Sequence, residues 1–261
     1  MSLPRFFGAS VVLIALSISG FTHAETGSDN VGILSYRSNQ HCSRRAVRRR
    51  WRQNRRSACC TDQNSHSARE NWISMFNGTD LTGWKANTEN PDSFKVVDGV
   101  LVIDGPRCHL FWVGDPDDPT DEQFTNFHWH AKVKTLPQAN SGLYFHTKYQ
   151  DAGWPAAGYE CQVNQTHKDR KKTGGLYAVA DVLDESPVKD GEWYDYDIIV
   201  DGPRIVLKIN GEVTTDWEEP TVWITPKGME GRKLSSGTFA IQAHDPKSVV
   251  HYKDLRVKRL P

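Results

Sequence analysis

The chain of 261 residues carries 32 basic and 32 acidic side chains and is formally neutral. Eight of the basic ones (Arg44, Arg45, Arg48, Arg49, Arg50, Arg52, Arg55 and Arg56) lie between His41 and Ser57 with no acid among them, so without them the rest stands near −8 (0 minus 8). The neutral total therefore hides a basic segment and an acidic domain, which excludes a single evenly charged core running the whole length.

In chain order, residues 1–24 read as a secretory signal: Arg5 gives the positive start, Phe6 to Ile18 the apolar stretch, and Thr22-His23-Ala24 a small-residue cleavage site. The stretch is interrupted by Gly8, Ser10, Ser17 and Ser19 and is shorter than the ~20 residues a spanning helix needs. Cleavage and a secreted or periplasmic location are expected, without stable membrane insertion. Residues 25–70 hold almost no apolar periodicity and read as a disordered, arginine-rich linker. Such a run can bind nucleic acid, an anionic membrane or an acidic wall polymer. An exported protein rarely meets nucleic acid, so no nucleic-acid partner is expected.

Five cysteines (Cys42, Cys59, Cys60, Cys108 and Cys161) are an odd count with no Cys-x-x-Cys pair, which leaves a zinc ribbon or a thioredoxin-like site without support. Export permits disulfides, and a Cys108–Cys161 bridge is one open option.

From residue 71 to 261 the pattern is β. Phe94–Val97, Asp98-Gly99 and Val100–Ile103 make one hairpin; Ile205–Ile209, Asn210-Gly211 and Val213 make another. Further strand-like runs are 127–133, 141–148, 158–164, 195–201, 238–244 and 250–258. About ten short strands without helical periodicity predict one all-β domain, a two-sheet antiparallel sandwich or jelly roll.

Strand alternation assigns faces. Phe127, Trp129, Ala131 and Val133 oppose His128, His130 and Lys132. Leu143 and Phe145 oppose Tyr144, His146 and Lys148. Tyr159, Cys161 and Val163 oppose Glu160, Gln162 and Asn164; Phe239, Ile241 and Ala243 oppose Gln242 and His244. A solvent-wetted sheet face would give such alternation too, but amides and imidazoles suit bidentate bonding to sugar hydroxyls. Of nine tryptophans, eight lie in this domain. Trp112 and Trp154 sit in loop-like stretches where an indole can stack on a pyranose, whereas Trp129 and Trp193 fit core packing.

These motifs, in order, resemble one family. Trp72-Ile73-Ser74-Met75-Phe76-Asn77-Gly78-Thr79-Asp80-Leu81-Thr82-Gly83-Trp84 is similar to the opening of the 3-keto-disaccharide hydrolase domain. Asn140-Ser141-Gly142-Leu143-Tyr144-Phe145-His146, Gly158-Tyr159-Glu160-Cys161-Gln162-Val163, Thr173-Gly174-Gly175-Leu176-Tyr177, Gly191-Glu192-Trp193-Tyr194, Ile209-Asn210-Gly211 and Phe239-Ala240-Ile241-Gln242-Ala243-His244 continue the match to the end of the chain. The resemblance implies a concanavalin-like jelly roll acting on 3-keto-glycosides. It departs where the family's central strand usually ends in Arg and this one ends in His146.

Ordinary glycosidases use two carboxylates across the scissile bond, and no paired acidic motif is present. The ketone of a 3-keto sugar acidifies the C2 proton, so one base, one donor to the ketone oxygen and one acid for the leaving group suffice. Glu160 is the expected base, with His146 and His244 as donor or acid. Gln162, Gln242, Tyr144, Lys148, Trp154 and Tyr177 are expected to bind substrate. No cofactor is expected; a divalent metal on His128-x-His130, with His146 or His244 as third ligand, is the alternative. No Gly-x-Gly-x-x-Gly motif opens a helix, so a separate oxidoreductase must supply the keto sugar. A non-catalytic carbohydrate-binding module is the competing reading.

Overall fold

The structure, a computed structural model, describes residues 71–114 and 123–261. The expected signal at 1–24 and the arginine-rich segment 25–70 lie outside the described residues.

Fifteen strands form the described fold, in place of the ten or so expected. They are β1 (Ile73–Ser74), β2 (Trp84–Ala86), β3 (Phe94–Val97), β4 (Val100–Asp104), β5 (Cys108–Trp112), β6 (Phe127–Thr135), β7 (Asn140–Thr147), β8 (Tyr159–Asn164), β9 (Lys171–Leu176), β10 (Ala180–Leu183), β11 (Tyr194–Asp201), β12 (Arg204–Ile209), β13 (Glu212–Glu218), β14 (Thr238–Ala243) and β15 (Val249–Arg259). A single 3-10 turn at Pro91–Ser93 is the one helical element among the described residues. Both hairpins expected from Asp-Gly and Asn-Gly are present. Asp98 and Gly99 have φ of 50° and 77°, and Asn210 and Gly211 have 50° and 84°, the left-handed pair whose twist matches that of the flanking strands.

The strands divide into two antiparallel sheets. One runs β13-β12-β11-β6-β15-β4-β3 with β1 added to β15; the other runs β10-β9-β8-β7-β14-β5-β2. Their inner faces share one apolar core, in which Trp129, Phe127, Phe145, Phe239, Tyr159 and Leu207 are almost fully shielded. Burial at roughly 1.5–3 kcal/mol per large side chain is the main force holding the sheets together.

The two sheets treat their outer faces differently. On the first, β11 and β12 alternate buried and half-exposed residues, the pattern of a wetted face. On the second, every residue of β5, β7, β8 and β14 is buried. Its outer face is therefore covered, and a small second cluster of Phe111, Tyr144 and Ala240 packs there with Tyr149.

Three sequence expectations need correction. Cys108 and Cys161 are both buried and free, so they form no disulfide. Cys108 Sγ instead lies 2.9 Å from Asn87 Oδ1. Trp112 is no loop residue: it ends β5, buried at 4% exposure and edge-on to Trp84. Trp193 is not core; it is half-buried, with the ammonium groups of Lys134 and Lys253 at 5.0 and 4.2 Å from its ring.

Candidate functional site

The covered outer face of the second sheet holds a cavity of about 580 Å³, within the range of small-molecule sites. Register sets its floor. Directly opposed residues in an antiparallel pair point to one side. Tyr144 of β7 faces Glu160 of β8 and Ala240 of β14, which in turn faces Phe111 of β5. One residue pair along, Gly142 faces Gln162, and Gln242 faces His109. Continuing the Ile241–Leu143 register by one step sets Gln242 opposite Gly142. His109, Gln242, Gly142 and Gln162 thus form a line across four strands.

Glu160 is the buried carboxylate of the cavity, 5% exposed. Arg232 Nη2 donates to its Oε2 at 2.9 Å, and Gln242 Nε2 donates to its Oε1 at 3.2 Å. The same amide nitrogen lies 2.8 Å from the Tyr144 hydroxyl, which also bonds the carboxylate. Burial raises the Glu160 pKa above the ordinary carboxylate value; Arg232 and the hydrogen bonds from Tyr144 and Gln242 oppose that rise. Space for the side chain comes from Gly142, where a Cβ would sit 2.6 Å from Glu160 Oε1.

Sequence reasoning missed Arg232. It comes from neither sheet's regular strands but from the segment joining β13 to β14, and a lone arginine in an aperiodic stretch carries no signal of burial. Local geometry explains its position. Gly158 N–H donates to Gly231 O at 2.9 Å, and a Cβ on Gly231 would meet Ala156 O at 1.8 Å, so only glycine permits this approach. Trp223 Nε1 then donates to Arg232 O at 2.7 Å, and the guanidinium lies 5.5 Å from the Tyr144 ring. An arginine absent from the end of the central strand is thus present in the site by another route.

At the other end of the cavity His244 Nδ1 lies 2.8 Å from Asp245 Oδ2, which also accepts from Ser248 Oγ at 2.8 Å. Trp154, 45% exposed, lines the cavity beside His244 with ring centroids 5.6 Å apart. Tyr177 lines it too, with Lys171 Nζ at 4.1 Å from its ring. Gln162 donates to Asn140 Oδ1 at 3.1 Å. The Oε1 atoms of Gln162 and Gln242 are buried without hydrogen-bond partners, acceptors suited to hydroxyl donors of a ligand.

Glu160, Gln162, Gln242, Tyr144, Trp154, Tyr177 and His244 therefore line one cavity. His146 does not join them. Its φ of 55° breaks the alternation at the end of β7, and its ring packs against Phe127 and Phe145. There Nε2 donates to Thr125 O at 2.9 Å and Nδ1 accepts from Ser235 N–H at 3.2 Å; both nitrogens have structural partners. Lys148 is exposed just beyond β7 and does not line the cavity.

The His128-x-His130 pair lies on the outer face of the first sheet, across the core from His244. Both rings bond one oxygen of Asp197, at 2.8 and 2.9 Å, so His244 cannot complete a metal site with them. Among the described residues, the group with the make-up to ligate a metal is His167, His244 and Asp245, whose ligand atoms lie within 4.8 Å of one another. Two imidazoles and a carboxylate suit a transition metal.

A two-sheet antiparallel sandwich whose covered sheet carries a cavity of this size, lined by amides, indole and a buried acid, has the make-up of a carbohydrate-cleaving or carbohydrate-binding domain. The chain belongs to the 3-keto-alpha-glucoside-1,2-lyase-like domain family, whose model matches residues 71–258. Two solved structures of candidate glycosyl hydrolases from Parabacteroides distasonis share the fold. One is 23% identical with a TM-score of 0.60, covering 73% of this chain and 94% of its own. The other is 20% identical with a TM-score of 0.55, covering 72% and 99%. No curated protein matches the sequence.

Proposed function

We propose that this protein cleaves 3-keto-glycosides by elimination. The observation that carries the proposal is Glu160: a buried carboxylate on the floor of a sugar-sized cavity, with its pKa raised, while the other carboxylates lining the cavity, Asp169 and Glu230, lie toward its more open parts. A raised pKa makes the carboxylate a stronger base once it is ionised.

Glu160 takes the C2 proton of the keto sugar. The electron pair moves toward C3, and negative charge develops on the ketone oxygen. Arg232 is the cation available to that charge, since protonation of Glu160 removes the charge it was paired with. Collapse of the enolate forms the C1–C2 double bond and expels the substituent on C1. The His244 imidazole, oriented by Asp245, protonates the departing oxygen. Release of the unsaturated ketone completes a lyase reaction; addition of water across the double bond makes the net change hydrolysis. The keto sugar itself comes from an upstream oxidoreductase, and the sequence of residues 1–24 supports a secreted or periplasmic setting for this protein.

The unpartnered amide oxygens and the exposed indole would equally serve a binding module. The protein is therefore incubated with methyl 3-keto-α-glucoside and with methyl α-glucoside, and methanol release is followed. Cleavage of the keto sugar alone supports the proposal. Equal cleavage of both would replace it with two-carboxylate glycosidase chemistry. Tight binding of either without turnover would favour the binding module.

A further inference from the structure

The line of residues across the cavity floor does not stop at the cavity. It ends at His109, whose two ring nitrogens are both buried without a hydrogen-bond partner. The Oε1 atoms of Gln242 and Gln162, on the same line, are also unpartnered. A protein normally satisfies its buried polar groups, and a row of exceptions calls for a ligand that completes them. Burial pulls the His109 pKa down to about 3, so the imidazole is neutral and offers one donor and one acceptor. That is a partner for hydroxyl groups, not for an anion.

The Trp154 indole touches this histidine and also lines the open cavity. The His109 ring is edge-on to Trp154 at 5.5 Å and to Tyr144 at 5.6 Å. The Trp154 backbone is fixed: Gln150 Nε2 donates to Ala152 O and Trp154 O at 2.7 and 2.8 Å, and Gln150 Oε1 accepts from Ala156 N–H at 3.0 Å. The indole, by contrast, is 45% exposed and held by ring contacts to His109, His244 and the Arg107 guanidinium. It can turn about its side-chain bonds without moving the loop.

We propose that His109 is the far wall of a second subsite, opened when the Trp154 indole turns aside, which binds the hydroxyls of the group leaving from C1 and so makes the site read a second sugar ring. This rests on the proposed cleavage for the identity of the leaving group, but not for the binding itself. A neutral polyhydroxylated ring fits the unpartnered neutral donors and acceptors, and the turned indole supplies a stacking face for it.

His109→Phe and His109→Gln are compared with the wild type on 3-keto-trehalose and methyl 3-keto-α-glucoside. The subsite predicts that His109→Phe raises KM about tenfold for the disaccharide and leaves the methyl glycoside unaffected, with His109→Gln in between. Removing an unpartnered buried polar group should also raise Tm in His109→Phe. A raised Tm with unchanged KM on both substrates overturns the subsite and makes His109 a packing residue. Should His109→Phe fail to fold, His109→Gln decides by the same ratio of KM values. Binding is read separately from turnover by titrating the wild type with unoxidised trehalose and following the His109 imidazole 15N resonances and tryptophan fluorescence. Shifts in both support the subsite even where the cleavage reading fails; unmoved resonances at saturation by either sugar sink it.

Discussion

Gly142 and Glu160 face each other so closely that the glycine's missing Cβ is the space the carboxylate occupies: a Cβ there would stand 2.6 Å from Glu160 Oε1. Gly142 has no left-handed φ that would penalise a side chain, so Gly142→Ala tests position without backbone strain. The added methyl should push Glu160 off Arg232 and Gln242. Turnover is expected to fall about a hundredfold, as for a misplacement of about 1 Å, with both sheets intact by circular dichroism. Unchanged kcat would mean that the carboxylate does not act from its observed position.

Glu160→Gln keeps the shape and removes the base. Turnover should fall by about 10²–10⁴-fold, and exchange of the substrate C2 proton with deuterated water should slow in parallel. Sugar binding should persist.

The pH profile follows from the direction of the Glu160 shift. Its pKa is raised above 4.5, by burial first, and Arg232 works against the rise. A base must be ionised, so kcat/KM should fall as pH drops through a pKa above 4.5. In Arg232→Gln that acid limb should move to still higher pH. For stability the sign is opposite to that of an ordinary salt-bridged acid. The folded state holds this proton more tightly than the unfolded chain does, so the group favours folding below pH 4.5 and loses that contribution as pH rises through the folded pKa. An acid limb at or below 4.5, unmoved in the variant, would remove Glu160 as the titrating base.

On the opposite sheet, His128 and His130 hold the Asp197 carboxyl well below its usual range, against the effect of its partial burial. This contribution is present above pH 3.8 and is lost as pH falls through the folded pKa. Asp197→Asn should therefore lower Tm at neutral pH by an amount worth about 1–2 kcal/mol, and the gap should close progressively below pH 3.8. Activity should be unaffected, because the pair lies across the core from the cavity. Thermal melts from pH 2 to 8, with turnover measured at pH 7, check both halves.

Much of the fold could be read directly because two-residue periodicity and turn dipeptides are local signals. Asp98-Gly99 and Asn210-Gly211 force their hairpins, and Trp129 and Cys161 alternate with polar neighbours as core residues must. Glu160, Gln162 and Gln242 were legible for the same reason. His146 was misplaced because parity assumes a regular strand, and a left-handed residue at the end of β7 ends that regularity. His109 escaped notice because β5 is buried on both faces and so shows no alternation. Arg232 depends on Gly231 meeting Ala156, a contact between distant segments that no window of sequence contains.

That route for Arg232 has a consequence for how the site is completed. Glu160 is set by strand pairing, whereas its cation is delivered by a connection anchored through Gly158 and Trp223. The ladder pairing of the two sheets therefore does not by itself hold the charge complement in place. Local opening of segments that are not held in a ladder costs less than global unfolding. Amides around Gly231 and Arg232 should exchange with deuterium faster than those of β7 and β8, and a disaccharide filling the cavity should slow them. The protein would then carry a resting form, fully folded and inert, converted to the working form by the docking of one short stretch of chain.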